Sequence, residues 1–306
     1  MKLGVLAGGI GLGLDELIGQ VREAAEAGLD SAYFNQVLSW DAVQLAALAA
    51  REVPGITVGT AVTQTYPRHP LMLAGQALTT QAASGNRFTL GIGPSHGPLI
   101  ETHFGLSYDR PARHVREYLS ALLPLLRGEQ VDYRGETLTA AGRVEVPGAE
   151  PPPVLLAALG PVMLRMAGEL ADGVVTAWTG PETIADYVAP AVTRAAAVAG
   201  RPRPQVVAGV IVSVTADPEG VRRRIAESLG PVGDLPSYRT ILDRQGRSGV
   251  EETVVAGDES AVERAVRAYA EAGATELVAS PFGDARERAR TLGLLAALRG
   301  RRGGAQ

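Results

Sequence analysis

Residues 2–36, KLGVLAGGIGLGLDELIGQVREAAEAGLDSAYFNQ, decide the fold. Lys2 to Ala7 is a short apolar run of strand length. After a glycine-rich turn, Leu14 to Ala27 reads as a helix closed by Gly28, and Ser31 to Gln36 as a second strand. Strand, helix and strand in so short a span form one βαβ unit, which places the strands parallel with a right-handed crossover.

The same alternation runs outward from there. Asp41 to Arg51 reads as a helix, Gly55 to Val62 as a strand, and Pro70 to Ser84 as a helix with Leu71, Ala74, Leu78 and Ala82 on one face. Phe88 to Ile92 is the fourth strand. A helix from Pro111 to Gly128 follows, and Gln130 to Val146, with its Arg134-Gly135 turn, reads as a hairpin insertion. Val154 to Ala158, a helix from Pro161, Gly173 to Ala177, a helix from Pro181 and Val206 to Val214 resume the pattern. Asp217 to Val254 holds extra helix and the Gly246–Gly249 turn. A helix Asp258 to Ala272, a strand Thr275 to Ser280 and a helix Asp284 to Leu298 then complete eight strands. The expected architecture is a (β/α)8 TIM barrel with insertions, spanning residues 1–306 as a single domain.

A doubly wound dinucleotide-binding sheet is the competing architecture. Gly8-Gly9-Ile10-Gly11-Leu12-Gly13 lies where its fingerprint belongs, but no register gives G-x-G-x-x-G. The second strand also ends in Asn35-Gln36, where a ribose-binding acid would be needed.

Composition narrows the chemistry. The 306 residues are 46% hydrophobic and 20% charged, with a formal net charge of −4, a soluble globular profile with no basic face for nucleic acid. The basic runs Arg222-Arg223-Arg224 and Arg299–Arg302 read as solvated faces or chain end. There is no cysteine, which removes disulfides, thiolate metal sites and cysteine nucleophiles. The four histidines, at 69, 96, 103 and 114, never form H-E-x-x-H, so no metal site is expected. No signal-like core and no stretch of about 18 uncharged apolar residues are present. A cytoplasmic enzyme acting on a small molecule, without nucleic-acid or membrane partners, is expected.

In a barrel the loops that follow the strands host the chemistry. After the fourth strand come Gly93, Pro94, Ser95 and His96, and an imidazole at a strand end can hand protons to substrate or bond a cofactor ring. Gly160-Pro161 and Thr179-Gly180 follow the fifth and sixth strands and offer helix amides to an anion, though each also fits a plain helix cap. Trp40 and Trp178, with Tyr66, are positioned to wall an apolar pocket, or to pack in the core. Ala42 to Ala50 is apolar nearly all round, which suggests a homodimer face.

The stretches Gly59-Thr60-Ala61-Val62 through Tyr66-Pro67-Arg68-His69-Pro70, Ala83-Ser84-Gly85-Asn86-Arg87 with Phe88 to Gly93, Pro153 to Gly160, and Ala167 to Gly173 together resemble the luciferase-like monooxygenase superfamily. Within it they are most similar to the F420-dependent oxidoreductases, and the resemblance covers roughly the whole chain. It implies a bacterial-luciferase-like barrel with a non-prolyl cis peptide at Ala61–Val62 against a deazaflavin ring. It also implies that Pro94, Ser95, His96, Gly160 and Pro161 meet the cofactor's polar tail.

Two departures bear on substrate. Sugar-phosphate dehydrogenases of that family carry an Asp-His pair where this chain has Asn35-Gln36. They also carry a lysine where it has Thr179-Gly180, so a less charged substrate is expected. The resulting expectation is hydride transfer between C5 of F420 and a small organic molecule, with His96 handling the proton and Asn35 and Gln36 as hydrogen-bonding neighbours. An FMN-dependent monooxygenase and a non-catalytic flavin-binding barrel are the rivals.

Overall fold

The computed structural model describes residues 1–303. Eight parallel strands close on themselves: β1 (Lys2–Ala7), β2 (Ser31–Phe34), β3 (Thr57–Thr60), β4 (Phe88–Gly93), β5 (Val154–Ala157), β6 (Gly173–Ala177), β7 (Gln205–Val214) and β8 (Glu276–Pro281). Each pairs in parallel with the next, and β8 returns to β1 through Lys2↔Glu276 to Val5↔Ala279. Closure buries both faces of the strands, which is why β4 is buried at every residue instead of alternating.

Inward side chains Tyr33, Leu155, Val175, Val207 and Val278 fill the barrel, and the larger core lies between strands and helices. At the end where strands begin, the Glu276 carboxylate accepts from the Ser31 hydroxyl and, at 3.2 Å, from Tyr33 OH. Burial raises the pKa of this glutamate.

The helices are α1 (Leu14–Glu26), α2 (Ala42–Glu52), α3 (Pro70–Ser84), α4 (Gly97–Phe104), α5 (Pro111–Leu126), α6 (Pro161–Leu170), α7 (Ala189–Val198), α8 (Pro218–Gly233), α9 (Pro236–Arg244), α10 (Glu259–Glu271) and α11 (Ala285–Gly303). The Asp41 side chain accepts from Val43 N and Gln44 N, each at 3.0 Å, and so starts α2. The expected hairpin is present as Val131–Arg134 with Thr139–Gly142. Glu117 on α5 anchors its turn, accepting from Glu136 N at 3.1 Å, Thr137 N at 2.8 Å and Thr137 Oγ1 at 2.7 Å.

Several elements differ from the sequence reading. Helix α4 and the short strands Thr63–Gln64 and Val255–Gly257 were not expected. The helix expected from Pro181 begins as a three-residue turn, widens into a π turn over Ile184–Val188 and becomes regular only at α7. Pro190 has no N–H for the carbonyl one turn back, which favours the wider turn there. Arg299 pairs with Asp30 at 3.3 Å, while the Arg301 and Arg302 side chains lie outside the described residues.

Apolar α2 is covered on one side only. Val43, Leu45, Ala46 and Ala49 are buried, whereas Leu48 on α2 and Met72 on α3 stand 45% and 63% exposed, beside a groove of about 350 Å³ lined by Val43, Ala47, Leu71, Met72 and Gly75. Among the described residues no helix is long and apolar enough to cross a membrane, and no cluster of three or more His, Cys, Asp or Glu side chains is placed to hold a metal.

Helix α6 lies so close to α7 that a Cβ on Gly168 would fall 2.3 Å from the Val192 carbonyl oxygen and 2.7 Å from Ala195 Cβ. Gly168→Ala should therefore cost about 1–3 kcal/mol despite the better helix propensity of alanine. An unchanged urea midpoint would contradict this packing.

Candidate active site

The site grows from a mismatch between β3 and β4. Gly59 pairs with Thr89, and the short strand after β3 resumes with Thr63↔Ile92 and Gln64↔Gly93, so the β3 side carries one residue more than its partner. The surplus lies at Ala61 and Val62, whose peptide bond is cis. The Thr60 hydroxyl fills the interrupted ladder, donating to Gly91 O at 2.7 Å and accepting from Gly91 N at 2.9 Å. A side chain at residue 91 is impossible here: its Cβ would lie 1.9 Å from Thr60 O. At Gly93 a Cβ would come 3.0 Å from both Val62 Cγ2 and Ala157 Cβ. The Val62 side chain thus rests on a floor of glycine at the open end of the barrel.

Asn35 and Gln36 border this floor on the β2 side. Gln36 N donates to Val62 O at 3.2 Å. Its side-chain oxygen accepts from Thr63 Oγ1 and Arg68 Nη2 at 3.0 Å and from Ala42 N at 3.3 Å. Arg68 also pairs with Asp41 and reaches Gln76 Oε1 at 3.0 Å. The Gln36 oxygen is fully engaged in holding the bulge and its neighbours, so a hydrogen bond from this side chain to a ligand would come from its amide nitrogen. Asn35 is exposed, with its Oδ1 3.7 Å from where a Cβ of Gly8 would stand.

On the β4 side the loop Pro94-Ser95-His96 turns through a left-handed Ser95 (φ 64°) into α4. The His96 ring lies 4.9 Å from the Tyr238 ring, its Nδ1 stands 3.4 Å from Ser237 Oγ, and Tyr238 lies 4.2 Å from Trp178. Burial lowers the His96 pKa, which keeps the imidazole neutral at neutral pH. Tyr238 belongs to α9 in the β7 insertion, which has its own small core of Val221, Ile225, Leu242, Val250 and Val254 packed against Trp178, Ile211 and Phe282. No spacing in the sequence marks Tyr238, because its partners lie far away along the chain.

Other expected site residues fall differently. Thr179 is buried, its hydroxyl donates to Ala177 O at 3.0 Å, and Gly180 N donates to Gln245 Oε1 at 2.6 Å. The anion site expected at Thr179-Gly180 is thus closed by Gln245, which also donates to Trp178 O at 2.9 Å. At Gly160, α6 has no side-chain cap, and nothing stands within 4 Å of where a Cβ would be. Pro161 and Val162 at the first turn are exposed.

Tyr66 joins a stack, 5.1 Å from Tyr108 and 3.8 Å from His114, and Tyr108 OH donates to Ser95 O at 2.7 Å. The stack braces the Ser95 loop from behind. Trp40 stands 42% exposed and donates its indole N–H to Leu12 O at 3.2 Å, tying the β1 and β2 loops together. His69 is the cap of α3, accepting from Leu71 N at 3.3 Å, with its Nε2 2.8 Å from Thr139 O.

The architecture is a closed parallel α/β barrel with a glycine-floored bulge, an imidazole and two aromatic rings at its mouth. Comparison with known proteins gives the family: the luciferase-like monooxygenase pattern matches residues 3–280, and the chain belongs to that family. An uncharacterised protein of Mycobacterium tuberculosis is 29% identical over 214 residues, 65% of this chain and 63% of that protein, so the chain matches less than two thirds of that relative. The 5,10-methylenetetrahydromethanopterin reductase of Methanopyrus kandleri is 26% identical over 287 residues, covering 79% of this chain and 82% of the enzyme.

Solved structures share the fold. The coenzyme F420-dependent tetrahydromethanopterin reductase of Methanopyrus kandleri superposes with a TM-score of 0.80 at 22% identity over 96% of this chain and 97% of that one. The FMN-bound oxygenating component of 3,6-diketocamphane monooxygenase from Pseudomonas putida gives 0.75 at 17% identity, over 97% of each chain.

The stack behind the site should make the protein's stability sensitive to acid. His114 is buried, with Nε2 3.1 Å from Thr65 Oγ1, and burial lowers its pKa to about 4 from 6.5, partly opposed by Glu117. The unfolded chain takes up the proton below about pH 6.5 and the folded protein does not, so this contribution is complete above pH 6.5 and is lost as pH falls toward 4. Unfolding free energy should drop on the order of 3 kcal/mol across that window. His114→Phe should flatten the drop; denaturant titrations at pH 7 and pH 4.5 compare the two, and parallel slopes would dismiss this role.

Proposed function

We propose that the chain is an F420-dependent oxidoreductase that transfers a hydride between the deazaflavin C5 and a small uncharged organic molecule. The observation that carries the reading is the bulge at Ala61–Val62, which sets a side chain on a glycine floor beside His96, Tyr238 and Trp178. Support for F420 over FMN comes from sequence: a relative that aligns over most of its length, 82%, is a methylenetetrahydromethanopterin reductase, and its solved counterpart is described as F420-dependent. FMN is the second reading, supported by the FMN-bound monooxygenase of the same fold.

The residues present fit such a group. Gly91 and Gly93 keep the floor flat, and the uncapped first turn of α6 behind Gly160 and Pro161 offers amides to an anionic tail. Bound there, the cofactor supplies the hydride chemistry, and the barrel supplies position and electrostatics. Pro94 and Ser95 would border the ring on the β4 side. When Ser237 donates to Nδ1, the His96 ring proton sits on Nε2, where it can pass to a substrate oxygen or return from it. Trp178 and Tyr238 exclude water from that side. Ile10, Val37, Leu38 and Trp40 present apolar groups on the β1 and β2 loops at the open end, and the Arg68 guanidinium is held by Asp41 and Gln36. Both features suit an uncharged substrate.

Side-by-side titration of the apoprotein should show tight F420 binding and weak FMN binding. His96→Ala should lower turnover of F420-linked substrates at least ~100-fold while leaving cofactor affinity within about threefold. Tighter FMN binding would shift the assignment to an FMN monooxygenase, and binding without turnover across a broad substrate panel would favour a storage barrel.

The α2–α3 face is read as a homodimer interface, supported by exposed Leu48 and Met72 beside the groove between the helices. A dimer is expected by light scattering at micromolar concentration, and Met72→Asp should convert it to monomer. A wild-type monomer would end this part of the proposal.

A further inference from the structure

Gln64 follows the bulge and pairs with Gly93 across the floor. It is only 3% exposed. Its Nε2 donates to Ser95 Oγ at 3.3 Å, and its Oε1 is buried without a hydrogen-bond partner. Turned end for end, the amide would meet Ser95 with its oxygen and leave its nitrogen over, so one end lacks a partner in either orientation. Nearby in sequence, the Tyr66 hydroxyl is also buried without a partner, and Tyr66 stacks on the Tyr108 ring that holds Ser95. Buried polar groups are nearly always satisfied in folded proteins, and the exceptions call for an explanation.

The position supplies one. The amide lies on the β4 edge of the floor, beside the Ser95 loop, where the proposed ring would lie. A deazaflavin and a flavin share one edge that carries an imide N–H between two carbonyl oxygens. A carboxamide is its complement, with one acceptor and one donor side by side. Neither Gln36, whose oxygen is engaged three times, nor Gln245, which is held by Gly180 and Trp178, is free to play this part.

We infer that Gln64 is the residue that recognises the imide edge of the ring: Oε1 accepts the imide N–H, and Nε2 leaves Ser95 to donate to the neighbouring carbonyl. The inference rests on the ring-cofactor reading above and names the residue that selects the ring's orientation. It predicts that the apoprotein carries a penalty which the ligand removes. A purely structural glutamine would behave in the opposite way.

The test pairs the ring compound that the wild type binds, F420 or FMN, with its 3-methyl derivative, in which the imide hydrogen is replaced. Wild type should bind the methylated ring about tenfold more weakly. Gln64→Met, similar in size but without the amide, should bind both rings alike at the weaker affinity, and its apoprotein should melt at or above the wild-type temperature. Gln64→Glu, which keeps an acceptor, should retain the preference for the unmethylated ring, and this result decides the matter if the Met variant does not fold. The inference is overturned if Gln64→Met still discriminates as the wild type does, or if its apoprotein melts lower with affinity unchanged, as expected for a glutamine satisfied by a buried water. A wild type that binds neither ring overturns the functional reading, and this inference with it.

Discussion

Residue 91 can carry no side chain, because a Cβ there would lie 1.9 Å from the Thr60 carbonyl oxygen, and the geometry of the barrel mouth follows from that contact. The Thr60 hydroxyl satisfies both backbone groups of Gly91, which lets β3 take on an extra residue without leaving buried polar groups unpaired. The bulge turns Val62 onto the floor and offers its carbonyl to Gln36 N. Gln36, Arg68, Asp41 and Thr63 then lock together around it. A network of matched hydrogen bonds is rigid, and it fixes the position of Val62 at the barrel mouth.

The opposite wall is built by a different device. The β7 insertion would be a loose appendage without Val221, Ile225, Leu242, Val250 and Val254, which give it a small core of its own. That core sets α9 against the mouth, so that Tyr238 touches both His96 and Trp178. Gln245 ties the insertion to β6 through Trp178 O and Gly180 N. The closed amide at Gly180 and the open ones behind Gly160 make the two helix starts unequal, although their sequences read alike. Of the two, the β6-side start is closed by Gln245 and the β5-side start is left without a side-chain cap.

The strand–helix period was legible because closing a parallel barrel buries both faces of each strand, and such strands stand out as apolar runs between amphipathic helices. Helix α3 and β6 fall on their expected residues. Helix α4 escaped because it is short and buries only Ile100, too little to set a period. The strand Val255–Gly257 escaped because three residues alongside β7 carry no pattern of their own. Among the site residues, His96 could be singled out as an imidazole directly after a strand. Tyr238 could not, since its meeting with His96 depends on how an insertion folds back across the barrel. Gln64 gave no signal either, because an unpartnered amide exists only relative to the atoms packed around it.

The order of residues thus determined the barrel, the family, the absence of thiol chemistry and the placement of glycines where backbones approach. Periodicity and composition are local properties, and a chain records them directly. Tertiary structure alone decided that the Gln36 oxygen is engaged by Arg68 and Thr63, that Thr179 is buried, that Tyr66 stacks on Tyr108 and His114, and that Gln64 is left with one end unmatched. Each of these is a question of which donor reaches which acceptor, and hydrogen bonds are short and directional. Partners tens of residues apart meet only after the barrel has closed.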